Sequence, residues 1–152
     1  MKYIRIFEDF SSDILYHGSP DGHSFNNRGN LLDGTFFSTD ESEAESYGKH
    51  VSKVELVGGL RLFDSLDYND LKLLFDEFDE LYDTYYSEDD PEYYITSPED
   101  MPSSDTWEPI ENTEGVIDWI RNNGYDGIWI YEGGIKNLFL FSPVSDKLKT
   151  HQ

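Results

Sequence analysis

Apolar and polar residues alternate through Lys2-Tyr3-Ile4-Arg5-Ile6-Phe7, which predicts a short edge strand. Ile14-Leu15-Tyr16-His17-Gly18 reads as a second strand ending at a Gly-Ser-Pro turn, which puts His17 at a strand end. Residues 20–33, with Gly22, Asn26, Asn27, Gly29 and Asn30, carry loop chemistry. Gly34-Thr35-Phe36-Phe37-Ser38-Thr39 reads as a strand and residues 40–47 as a helix stopping near Gly48. Thr39 or Asp40 is the expected N-cap, and Glu41 and Glu43 fall in the first turn, where the helix dipole favours negative charge.

Strands are predicted over residues 51–56 and, after Gly58-Gly59, over 60–63. The period then changes. Leu71, Leu74, Phe75, Phe78, Leu81, Tyr82 and Tyr85 recur at spacings of three and four, with Asp76, Glu77, Asp79, Glu80 and Asp83 between them, predicting an amphipathic acidic helix over residues 67–86. Residues 87–111 hold Pro91, Pro98, Pro102 and Pro109 among many acids and read as a long loop. A helix over residues 113–123 presents Val116, Ile117, Trp119 and Ile120 to the core and stops at Asn-Asn-Gly. Strands at 128–131 and 138–141, joined through Gly133-Gly134, complete the chain before Pro143.

With 152 residues and no apolar run long enough for a membrane-spanning helix, the chain is expected to be one soluble α+β domain. MKYIRIFEDF lacks the apolar stretch of a secretory signal, so a cytoplasmic location is expected. The absence of cysteine excludes disulfides, thiolate metal sites and a cysteine nucleophile. His23, His50 and His151 have no second histidine at helical spacing, and the clusters Glu88-Asp89-Asp90 and Glu99-Asp100 lack the spacing of a calcium loop, so no metal is expected. The formal net charge of −21 disfavours direct binding to DNA or RNA and points to a basic protein partner, and no membrane partner is expected of a chain without a long apolar run. A solvated surface that only keeps the protein soluble, and a face that mimics nucleic acid, account for the same charge.

Three segments resemble the diphtheria-toxin type of ADP-ribosyltransferase, the class that includes the poly-ADP-ribose polymerases. Tyr16-His17-Gly18-Ser19 is similar to that family's strand-end His-Gly pair. Gly34-Thr35-Phe36-Phe37-Ser38 followed by Tyr47, thirteen residues after the glycine, is similar to its Gly-x-aromatic-Phe-small strand and the tyrosine of the next helix. Gly124-Tyr125-Asp126-Gly127-Ile128-Trp129 with Asn137-Leu138-Phe139-Leu140-Phe141-Ser142-Pro143 resembles its closing hairpin. The family's last strand starts with a catalytic glutamate, and here Asn137 stands in its place. Glu132 is the other candidate carboxylate: a fold at the Gly133-Gly134 hinge would return it to the cleft, although five residues along a continuous strand would turn it to the opposite face.

The resemblance implies two packed, mostly antiparallel sheets flanked by helices, with an acidic helical and loop insertion at about 64–112. It implies that NAD is bound by His17, Gly18, Ser19, Phe36, Phe37, Ser38 and Tyr47. Phe36 and Tyr47 would stack on the nicotinamide, while for Phe37 ordinary core is the favoured reading. His17, Tyr47, Asn137 and Glu132 would act in catalysis, transferring a single ADP-ribose to a basic, nucleic-acid-binding protein. Small members of this fold occur in phages and mobile elements, and some resemble anti-CRISPR proteins. Two other readings stand beside the enzyme: a degenerate scaffold whose acidic segment occupies a partner's nucleic-acid groove, and an interaction module with neither activity.

Overall fold

The computed structural model describes residues 14–20, 33–81 and 106–150. Their strands are β1 (Ile14–Ser19), β2 (Gly34–Ser38), β3 (His50–Leu56), β4 (Leu62–Asp64), β5 (Gly127–Glu132), β6 (Ile135–Phe141) and β7 (Leu148–Thr150). Their α-helices are α1 (Glu41–Glu45), α2 (Tyr68–Glu77), α3 (Trp107–Asn112) and α4 (Val116–Asn122). The expected strand at residues 2–7 and most of the loop at 20–33 lie outside the described residues, as does 82–105 of the acidic segment.

The α+β class expected from the pattern is the class observed, and the sheets take a specific form. By hydrogen bonding there is one curled sheet of seven strands in the order β4-β5-β6-β2-β1-β3-β7. All its pairings are antiparallel except β4 with β5. Its weak point is the junction of β1 and β2, which meet in register only at Tyr16↔Ser38. By contrast β1 follows β3 from Ile14↔Glu55 to Ser19↔His50, and β2 follows β6 from Gly34↔Phe141 to Ser38↔Asn137. The sheet is therefore nearly split into two halves at that junction.

Strand alternation sorts side chains into two cores. Phe139 and Phe141 of β6, Ile128 and Ile130 of β5 and Phe63 of β4 face a cluster with Leu71, Leu74, Trp107, Ile110, Val116 and Ile120 from the helical segments. The intervening Leu138 and Leu140 join Phe37 of β2 with Leu15, Val54 and Leu56 of β1 and β3. The second cluster thus takes residues from both halves, so one hydrogen-bonded sheet supplies two packed layers.

Several boundaries differ from the expected ones for physical reasons. The acidic helix ends at Glu77, because Phe78 takes φ −133° and ψ 74°, and a 3-10 turn at Asp79–Leu81 replaces its continuation. Within the expected loop at 87–111 the chain forms α3, with Pro109 in the first turn, where a missing N–H costs nothing. Trp107 and Ile110 are buried by it. The predicted helix at 113–123 begins only at Val116, after Gly115 at φ 89°. The short β7 went unpredicted, and the strand expected at 60–63 is shifted to Leu62–Asp64.

Candidate active site

Each candidate side chain sits close to the junction where β1 leaves β2. Asp40 caps α1, its Oδ1 accepting from the Glu43 N–H at 3.0 Å, and Ser38 Oγ accepts from the Asp40 N–H at 3.0 Å. Helix α1 lies directly on β1: a Cβ built on Gly18 would stand 1.8 Å from the Ala44 carbonyl oxygen. Only glycine permits that approach, which is a packing reason for Gly18 independent of any ligand. Ser19 is hemmed in likewise, since a Cβ on Gly48 would lie 2.1 Å from its carbonyl carbon.

Past the Tyr16↔Ser38 pair, the His17 ring takes over from the backbone ladder. Its Nδ1 lies 2.9 Å from the Phe36 carbonyl oxygen, which can only accept, so Nδ1 carries the proton and the ring is fixed in orientation. The ring tilts against Phe37, centroids 5.4 Å apart. Phe37 itself is buried in the second core, in agreement with its core reading. Phe36 faces the other way, edge-on to Trp107 at 5.0 Å and tilted on Phe139 at 4.7 Å, and is only partly buried. Trp107 was not recognised from sequence as a neighbour of the site, since the proline two residues on masked its helix.

The β5–β6 hairpin brings the two remaining candidates together. Asn137 lies opposite Ile130, and Ile135 lies opposite Glu132. Glu132 and Asn137 therefore share one face as a diagonal cross-strand pair. Of the two placements open to Glu132, the structure has the folded-back one: the four residues between them run around a turn through Gly133 and Gly134, not along one strand. Asn137 Nδ2 donates to Glu132 Oε1 at 3.0 Å. Its Oδ1 is buried with no hydrogen-bond partner, and the residue is 3% exposed. Turning the amide over would set Oδ1 against the carboxylate, so the orphaned acceptor is inherent in the arrangement.

Tyr47 follows α1 and is 55% exposed. Its hydroxyl is held above the usual phenol range by partial burial and then by the negative charges of Glu132 and Glu43. The phenol stays protonated at neutral pH, able to donate, within reach of the Glu132 field. Tyr47, Glu132 and Asn137 are thus neighbours, an exposed phenol beside a carboxylate clamped by a buried amide, while the oriented His17 imidazole sits on β1 against Phe37.

No protein-family model and no curated protein matches this chain. A solved structure is similar to it, the crystal structure of an anti-CRISPR protein, over 84% of this chain and 88% of that one, at 16% identity and a TM-score of 0.45. Among the described residues no helix is long and apolar enough to cross a membrane.

Proposed function

We propose that this chain is an NAD-dependent mono-ADP-ribosyltransferase that modifies a basic, nucleic-acid-binding protein, with Glu132 supplying the charge that Asn137 lacks. The observation that carries the reading is the 3.0 Å bond from Asn137 to Glu132 across the hairpin. It brings a carboxylate to the place where the resemblance leaves only an amide.

The residues present suit the dinucleotide. A buried acceptor without a donor costs about 1–3 kcal/mol, and Asn137 Oδ1 is relieved by a ligand hydroxyl such as that of a ribose. NAD bound there would supply a glycosidic bond whose cleavage releases nicotinamide and passes ADP-ribose to a partner side chain. Glu132 would supply negative charge to the site and accept the proton that the attacking side chain gives up. Asn137 keeps the carboxylate in place. Tyr47 offers an exposed aromatic face and a donor hydroxyl, and His17, locked by the Phe36 carbonyl, offers a ring of fixed tautomer. Phe36 contributes less surface than the resemblance implies, because Trp107 and Phe139 already pack on it.

A second reading has its own support. Asp76, Glu77, Asp79 and Glu80 are all exposed on α2 and the turn after it, so an acidic surface is available to a basic partner without chemistry. Incubation with NAD separates the two, with nicotinamide release followed by chromatography and inhibition of the partner measured in parallel. The enzyme reading expects Tyr47→Ala to abolish both signals while neutralising the four acids spares nicotinamide release. Full inhibition by Tyr47→Ala, lost on neutralising the acids, establishes mimicry instead.

A further inference from the structure

The β5–β6 hairpin has a second face, and it borders a groove of about 790 Å³ between the two halves of the sheet. Alternation turns Trp129 and Lys136 to that side while Glu132 and Asn137 face the other. The groove already holds a cation: Lys136 Nζ stands 4.3 Å from the centroid of the half-buried Trp129 ring. Asp64, in register beside Trp129 on β4, lies close enough to feel that ammonium. Asp67, Asp70 and Glu55 also line the groove, against Lys136 and Lys149, so carboxylates outnumber cations by four to two.

The Lys136 ammonium is held by a flexible stem, whereas its backbone is pinned. The Thr39 N–H and hydroxyl both donate to the Lys136 carbonyl, at 3.1 and 2.7 Å. The side chain can therefore leave Trp129 without disturbing Asn137, the next residue. A guanidinium stacks on an indole face better than an ammonium does and pairs with a carboxylate through two N–H groups.

We propose that this groove is the docking slot for an arginine side chain of the basic partner, with Lys136 as the internal cation that the arginine displaces. The proposal rests on the partner being basic, as the proposed function has it, and gives that partner a place to bind on the face opposite the reacting groups. Burial pushes the Asp64 carboxyl up even beside Lys136, the Leu66 N–H and the Tyr131 hydroxyl, which act to lower it.

The test is calorimetric titration with an acetylated, amidated Gly-Arg-Gly-Arg-Gly peptide and with its lysine counterpart. Lys136→Gln should tighten binding about threefold by removing the competitor. Lys49→Gln, the same charge change at an exposed position away from the groove, should tighten it much less. Asp64→Asn and Trp129→Leu should each weaken it by about fivefold, and the lysine peptide should bind more weakly than the arginine one. Equal effects of Lys136→Gln and Lys49→Gln, or arginine binding unchanged by Asp64→Asn, would show diffuse attraction and overturn the slot. Thermal melts of Trp129→Leu guard against misfolding, and the other two substitutions decide alone if it unfolds. NAD titration of the same variants reads the opposite face. Loss of the arginine pattern with NAD binding intact overturns the slot only; absent NAD binding with the pattern intact overturns the enzyme only.

Discussion

The two faces of the β5–β6 hairpin carry different chemistry. Toward the helices, Ile128, Ile130, Phe139 and Phe141 enter a thick core, and that core gives way at the hairpin tip to Glu132 and Asn137. Toward the other half of the sheet, Leu138 and Leu140 enter a thinner core, which gives way to Trp129, Lys136 and an open groove. One ribbon of alternating side chains thus fixes a polar pair on one side and a cation slot on the other. Each lies at the end of the apolar residues that precede it along the ribbon.

The largest predicted effect tests the inequality of the two cores. Phe139 is fully buried against Phe36, Trp107 and Phe141, so Phe139→Ala should cost about 4 kcal/mol in urea unfolding. Leu15→Ala, in the smaller cluster, should cost about 2–3 kcal/mol. Equal losses would mean that the second layer is as thickly packed as the first.

Gly18→Ala comes next. The added methyl meets the Ala44 carbonyl, so α1 must lift from β1, at a cost of about 1–3 kcal/mol. Because Tyr47 follows α1 directly, the same change should also weaken NAD binding. Stability lost with binding unchanged would show that α1 is packing alone.

Much of this was legible in the sequence, and the failures have local causes. The strands at 14–18 and 34–39 that build the junction were legible from short apolar runs bounded by turn residues, and the cap was narrowed to Thr39 or Asp40, of which Asp40 is the one observed. Helix α3 was hidden because proline signals loop in most settings and is tolerated only in the first turn. The placement of Glu132 stayed open in the sequence, because a continuous strand and a fold at Gly133-Gly134 send it to opposite faces, and only the observed hairpin decides between them. The orphaned Asn137 oxygen and the Lys136–Trp129 contact depend on packing in three dimensions, and no spacing rule reveals them.

A smaller effect concerns pH. The Asp64 carboxyl is raised by burial first, outweighing the Leu66 N–H, Lys136 and the Tyr131 hydroxyl, which act to lower it. The folded protein therefore binds this proton more tightly than the unfolded chain does. Its contribution is fully present below the ordinary aspartate value of about 3.9 and is lost as pH rises through the raised folded value. Asp64→Asn should flatten the fall in stability across that window, measured by unfolding at several pH values. An unchanged slope would place the charge in water and weaken the distinction between the two hairpin faces.

The most direct test of the central claim is calorimetric titration of NAD into the wild-type protein, Tyr47→Ala and Glu132→Gln, with nicotinamide release followed in the same samples. Saturable binding should be lost in Tyr47→Ala and retained in Glu132→Gln, and release should vanish in both. Absence of wild-type binding up to millimolar NAD, or undiminished release by Glu132→Gln, would contradict the account.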